Sequence, residues 1–234
     1  MTVTRTSVRA ATAASAVVIG ASAGGVELLS ELLRALPEDF GAGVAIVLHL
    51  HESQDDTLCH LLARHCALPV TEARDKQAFV ADHVYLAPAR YHLLLERDHH
   101  LALSLDPPVR YSRPSIDVLF DSASDCYGPA LCGVVLSGEN DDGARGAQTI
   151  LDGGGEVLVL DPTTTVHRLM PQAAIALNPG SRVLSLEEIA MLLAHLCRGS
   201  AEVPVADVPA WAAPAQTAEP PHAAPTAQAR GRRS

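Results

Sequence analysis

The sequence predicts an α/β fold: a doubly wound, mostly parallel sheet of about seven strands with helices on both faces and a small antiparallel hairpin. Three observations predict it. Short apolar, β-branched runs alternate with stretches of helical periodicity, the pattern of a parallel sheet joined by crossover helices. The runs are continuously apolar instead of strictly alternating, as strands buried on both faces require. The 234 residues, 48% of them hydrophobic, suffice for one domain with a substantial core.

The strand candidates, in order, are AVVIG (16–20), VAIVLHL (44–50), PVTEA (69–73), HVYLAP (83–88), LCGVVLSG (131–138), EVLVLD (156–161) and RVLSL (182–186). Between them lie the helices. In 25–36, Val26, Leu29, Leu33 and Leu36 recur on one face, and Leu28 and Leu32 widen the stripe. In 53–66, Ser53 is placed to cap the first turn with Asp56 three residues on, and Leu58, Leu61 and Leu62 are expected to face inward. Further helices are expected over 115–126, 143–152, 171–177 with Pro171 in the first turn, and 187–197. The stretch YHLLLERDHHLALSL (91–105) reads as two short strands about a polar turn, a hairpin attached to the sheet.

These elements place one domain over 15–198. Residues 1–14 are small and polar, an expected flexible N-terminus. From residue 199 the composition shifts to Ala and Pro, and such a tail (199–234) buries too little surface to offset its ordering entropy; disorder is expected there.

Charge and composition exclude several functions. A formal net charge of −10 argues against a nucleic-acid surface. Five scattered cysteines without a C-x-x-C pair fit free thiols in a reducing compartment. The eleven histidines are equally dispersed, so no metal site is expected. No run reaches the ~18 apolar residues of a membrane span. Arg5 and Arg9 followed by AATAASAVVIGASA imitate a secretory signal, but the core is Ala, Thr and Ser instead of Leu, and cleavage at Ala21-Ser22-Ala23 would destroy the Gly-rich turn. A cytoplasmic location is the expectation.

In a doubly wound sheet, ligands bind beyond the carboxyl ends of the strands. Three predicted strands end in chemically capable residues: Ser22 after VVIGA, His49 at the close of VAIVLH, and Asp142 in SGENDDGARG. Gly20 and the Gly24-Gly25 pair allow a sharp turn into a helix, so Ser22 Oγ would stand near helix N-terminal N–H groups that favour negative charge. A phosphate or a tetrahedral oxyanion would benefit equally. Against nucleotides, GASAGG lacks G-x-G-x-x-G spacing, the second strand ends in histidine instead of an acid, and there is no Walker lysine. A serine nucleophile needs a base, and the base needs an acid to fix its tautomer; His49 and Asp142 could fill these roles. Alternatively, His49 is a capped core residue and Asp142 an N-cap to the next helix.

Taken together, IGASAGG (19–25), VLHLH (47–51), YLAPARYHLLL (85–95), RPSIDVLFDS (113–122), LSGENDDGARG (136–146) and MPQAAI (170–175) resemble, in order, the catalytic domain of the chemotaxis protein-glutamate methylesterases, the CheB family. The resemblance runs from about Ala16 to Leu196. It implies a serine hydrolase that demethylates glutamate γ-methyl esters on chemoreceptor-like helical proteins and can also deamidate glutamines. Ser22 would be the nucleophile, His49 the base and Asp142 the acid, with no metal or organic cofactor. The backbone N–H groups of Ala23 and Glu139 would meet the oxyanion. Arg113 and Ser115 could touch substrate at the rim, with Met170, although for Arg113 pairing with an acid such as Asp117 is the preferred reading.

Two departures from the family stand out. Its usual Gly-Met-Gly is here Gly138-Glu139-Asn140, and the Glu139 carboxylate, which would repel an oxyanion, is expected to point to water. The run DPTTTVHRLMP (161–171) also replaces one that usually ends Gly-Met-Pro. The family's regulatory member carries a receiver domain in front, and none is expected here; the domain is expected to act unregulated or under a separate partner. The rivals are a non-catalytic signalling adaptor on the same fold, with Glu139 disabling the site, and a nucleotide-binding domain.

Overall fold

A computed structural model describes residues 14–49 and 55–197; the expectations for residues 1–13, the Ser53 cap and the Ala/Pro-rich tail lie outside these. The strands are β1 (Ala16–Ala21), β2 (Gly43–Leu48), β3 (Val70–Glu72), β4 (His83–Leu86), β5 (His92–Leu95), β6 (Leu101–Ser104), β7 (Leu131–Val135), β8 (Glu156–Leu160) and β9 (Arg182–Leu184). Seven of them form a sheet in the order β3-β4-β2-β1-β7-β8-β9, with every neighbouring pair parallel. The chain starts in the middle at β1, builds outward through β2, and later returns to the other side of β1 to lay down β7, β8 and β9. The end of β1 is therefore the switch point of the sheet, where ligand crevices open.

Successive side chains of a strand point to opposite faces, and both faces here are covered. Val17, Ile19, Ala21, Val44 and Ile46 pack with helices α1 (Gly25–Arg34), α2 (Asp55–Ala63) and α6 (Leu186–Cys197) in one buried core. Ala16, Val18, Ala45 and Val47 face a second core with α3 (Ile116–Tyr127), α4 (Ala144–Asp152) and α5 (Leu169–Leu177). This two-sided burial is the reason β1 and β2 are apolar at every position.

The structure departs from the sequence reading at several points. The pair β5 and β6 is an antiparallel hairpin but forms its own two-stranded sheet, with Leu93, Leu95 and Leu101 packed into the second core. In α2, Leu58 and Leu62 face inward, whereas Leu61 is 41% exposed; it lies too far round the helix from the narrow stripe that the core takes up. Helix α5 begins two residues before Pro171, which still falls in the first turn. No disulfide joins the five cysteines. Among the described residues, no helix is long and apolar enough to cross a membrane, and no cluster of His, Cys, Asp or Glu is arranged to hold a metal ion.

Candidate active site

Strands β2 and β7 flank β1, so residues leaving the three carboxyl ends are drawn together. Ala21 and Leu48 are the last paired residues of β1 and β2, and the His49 N–H continues the ladder onto Ala21 O at 3.0 Å. Ser22 follows at once. Its N–H donates to Ser137 O at 2.8 Å, tying it to the segment beyond β7. Gly24 then adopts φ 72°, the left-handed region that favours glycine, and turns the chain into α1. A Cβ on Gly25 would lie 2.8 Å from both Ala21 Cβ and Leu48 Cδ1, so only glycine allows α1 to start this close to the strands.

His49 and Asp142, 93 residues apart, meet here: His49 Nε2 lies 2.9 Å from Asp142 Oδ2. The Asp142 side chain is fully buried and that of His49 is 13% exposed. Three further donors hold the carboxylate. Ile116 N–H reaches Oδ2 at 2.7 Å, while Asp117 N–H and Ser115 Oγ–H reach Oδ1 at 3.0 and 2.9 Å. These N–H groups open α3, so Asp142 occupies a helix N-terminus, where negative charge is favoured. Burial pushes the Asp142 carboxyl up, but the His49 hydrogen bond, the Asp117 and Ile116 N–H groups and the His49 charge together hold it below its ordinary value.

With Nε2 on Asp142, Nδ1 is the His49 nitrogen left for other partners. Asn140 Nδ2 lies 3.3 Å from it, and Asn140 Oδ1 accepts the Asp142 N–H at 3.2 Å. Ser22 sits against the same segment: a Cβ on Gly138 would lie 2.9 Å from Ser22 Cβ and 2.6 Å from Met170 Cε. The N–H of Gly138 is committed to His167 O at 2.9 Å, as that of Ser22 is to Ser137 O. The next N–H along each segment belongs to Glu139 and Ala23, and neither donates to another described residue. Ser137 Oγ–H braces this turn by donating to Ala23 O at 2.8 Å.

The Glu139 carboxylate is turned to solvent, its side chain 69% exposed, and Oε1 is 2.7 Å from His167 Nδ1. The residues expected to contact substrate divide. Ser115 is fully buried with its hydroxyl on Asp142, so it positions the acid instead of lining the rim. Met170 is also fully buried, beneath Gly138. Arg113 is half-buried and donates to the Leu105 and Asp106 carbonyls at 2.9 and 3.1 Å, not to Asp117. It borders a cavity of ≈ 70 Å³ with Leu48, Leu86, Arg90 and Pro114.

Asp117 turns instead to the start of α4. Its Oδ1 accepts Gly143 and Gly146 N–H at 2.9 and 2.8 Å, and Oδ2 meets Arg145 Nε at 3.3 Å. Arg110 pairs with Asp141 and lies near Asp117. Sequence reasoning missed Asn140, His167, Ser137 and the role of Asp117. A signal existed for Asn140 alone, an amide two residues before a candidate acid.

A catalytically capable Ser, a His–carboxylate pair and two available N–H groups thus share the switch point. The CheB methylesterase family model matches residues 17–193. A Leptospira interrogans protein with the provisional name protein-glutamate methylesterase/protein-glutamine glutaminase is 42% identical over 187 residues, covering 80% of this chain and 97% of its own. The protein-glutamate methylesterase FrzG of Myxococcus xanthus is 36% identical over 177 residues, covering 76% of this chain and 53% of its own. An Anaeromyxobacter dehalogenans protein-glutamate methylesterase/protein-glutamine glutaminase is 42% identical, again with 53% of its length covered. The chain therefore spans about half of the latter two relatives. The crystal structure of the Thermotoga maritima CheB methylesterase catalytic domain superposes with a TM-score of 0.75 at 30% identity, covering 78% of this chain and 98% of that one.

Proposed function

The chain belongs to the CheB methylesterase family, and we propose that Ser22, His49 and Asp142 are the nucleophile, base and orienting acid with which it hydrolyses glutamate γ-methyl esters on a methylated chemoreceptor or similar helical protein. One observation carries the assignment of roles: the fully buried Asp142 carboxylate holds the His49 imidazole at 2.9 Å beside the turn that presents Ser22.

The chemistry follows from the contacts. The ionised Asp142 accepts a proton-bearing Nε2, leaving the lone pair on Nδ1. Nδ1 takes the Ser22 hydroxyl proton as Oγ bonds to the ester carbonyl carbon. The carbonyl oxygen gains the negative charge, and the Ala23 and Glu139 N–H groups stabilise it. As the tetrahedral species collapses, the C–O bond to the methoxy group breaks, and methanol leaves with the proton from Nδ1. Water, deprotonated by the same nitrogen, then adds to the acyl carbon; the bond to Ser22 Oγ breaks, Oγ recovers the proton from Nδ1, and the glutamate carboxylate is released. On a glutamine side chain the same steps expel ammonia, which is the deamidation named among the relatives.

The outward turn of Glu139 supports an enzyme over a non-catalytic adaptor, because a solvated carboxylate paired with His167 is screened from the oxyanion. Cytoplasmic action belongs to the same proposal and rests on the family resemblance. The test is methanol release from methylated receptor, comparing the protein with Ser22→Ala. A loss of at least ~10³-fold is expected, since triad members act as a unit. Equal rates would remove the catalytic assignment.

A further inference from the structure

We infer that Asn140 is a positioning residue that holds the base in a resting state by occupying His49 Nδ1, the nitrogen that Ser22 must use. The inference rests on the triad proposed above. Its geometric basis is the orientation of one amide.

An asparagine side chain has one acceptor end and one donor end. The Asp142 backbone N–H lies 3.2 Å from Asn140 Oδ1 and requires an acceptor there. The donor end is thereby directed at His49 Nδ1, 3.3 Å away. On the other side of the ring, the Nε2 proton points to a carboxylate that accepts three other hydrogen bonds. Nδ1 therefore carries the single in-plane lone pair of a neutral imidazole, and the Asn140 N–H is directed at it.

Two consequences follow for the reaction. Ser22 O–H competes with Asn140 N–H for one lone pair, and no hydrogen bond joins Ser22 Oγ to His49 among the described residues. Once Nδ1 gains the serine proton, two donors face each other across the same gap. The amide cannot relieve this by rotating, because that would set its NH₂ against the Asp142 N–H. Asn140 must swing aside for each turnover, so the side chain orders the resting site and slows the proton transfer. Beyond Asp142 the charged groups nearby include Asp117 and Arg110, the latter paired with Asp141, the Glu139–His167 pair on the Asn140 segment, and Arg90 and Arg113 at the cavity beside Leu48.

The experiment measures the rate at which a fluorophosphonate labels Ser22, across a pH series, in the wild type, Asn140→Ala, Asn140→Gly and Asn140→Asp, with Ser22→Ala as the blank. The reagent needs an activated serine but no receptor. Losing one competing neutral hydrogen bond should speed labelling in Asn140→Ala and Asn140→Gly by roughly 3- to 10-fold. In Asn140→Asp a carboxylate faces Nδ1 and keeps it protonated, so labelling should slow near neutrality and recover at higher pH. A residue that merely packs would give Ala and Gly variants no faster than wild type and an Asp variant with an unmoved pH profile; that result overturns the inference and leaves the triad standing. Absence of labelling in every protein overturns the triad and the inference with it.

Discussion

Ser115→Ala separates two assignments that give opposite kinetics. As a substrate contact at the rim, Ser115 would add binding energy, and its loss would raise KM. The structure buries it completely and sets its hydroxyl 2.9 Å from Asp142 Oδ1. A buried hydrogen bond to a charged group contributes about 1.5–3 kcal/mol. For a domain of this size each kcal/mol shifts Tm by about 2–4 °C, so the variant should melt about 3–12 °C lower at pH 7. Asp142 keeps its bonds from Ile116, Asp117 and His49, so it stays ionised and the imidazole keeps its tautomer. The acid is only less firmly held, and kcat should fall by about 3- to 30-fold while KM stays within a factor of two. Thermal melting and steady-state methanol release read the two effects. A tenfold rise in KM with unchanged kcat and Tm would refute the buried assignment and return Ser115 to the substrate surface.

Two further outcomes follow from the same contacts. Asp142→Asn should lower kcat by about 10⁴-fold through the wrong histidine tautomer and cost about 3–5 kcal/mol at pH 7, because an NH₂ then faces buried donors. The native carboxyl is held below its ordinary value, so its stabilisation is present above pH 3.8 and is lost as the pH falls through the depressed value; urea titrations should show the gap narrowing only below that point, and a gap constant with pH would count against it. Gly146→Ala places a Cβ 2.5 Å from Phe120 Cβ and 3.1 Å from Asp117 Cα, backbone that cannot yield without separating α3 and α4, so a loss of about 1–3 kcal/mol or more is expected by chemical denaturation. Gly180→Ala, whose nearest neighbour is a Leu151 methyl at 3.8 Å, is the control that should stay at wild-type stability.

Local patterns carried the fold far because the central strands β1, β2, β7 and β8, buried on both faces, write themselves as nearly unbroken apolar runs, while the short edge strands β3 and β9 carry polar residues and are partly exposed; all seven expected strands are present in the sheet. The order of those strands is a long-range property, and the runs themselves do not encode it. The same limit explains the misread side chains. Arg113 and Asp117 stand four apart, a spacing that brings groups together only inside a helix, and α3 begins at Ile116, after Arg113. Arg113 therefore turns back to the carbonyls of 105 and 106, while Asp117 points across to α4. Ser115 looked like a rim residue because its partner, Asp142, is 27 residues away. Ser22, His49 and Asp142 could be singled out because each follows an apolar run, where this class of sheet collects its ligands. Asn140 was passed over because the imidazole it meets lies 91 residues away in sequence.

The two buried acids also explain why this acid can stay charged in a closed core. Neither α3 nor α4 is capped by the side chain of its own preceding residue. Asp142, just before α4, takes the first N–H groups of α3, and Asp117, in the first turn of α3, takes those of α4. Each helix start is neutralised by the carboxylate of the other segment, an exchange that also pins the helices together. The two charges are not equivalent. Burial, aided by the repulsion of Asp142, raises the Asp117 carboxyl against its N–H bonds and Arg145, whereas His49 tips the balance for Asp142 the other way. The Asp142 charge, proposed to orient the base, is therefore sustained by the capping that holds α3 against α4. A change that loosens this helix pair must reach the imidazole even when it touches no residue of the triad, which is why Gly146→Ala should lose activity along with stability.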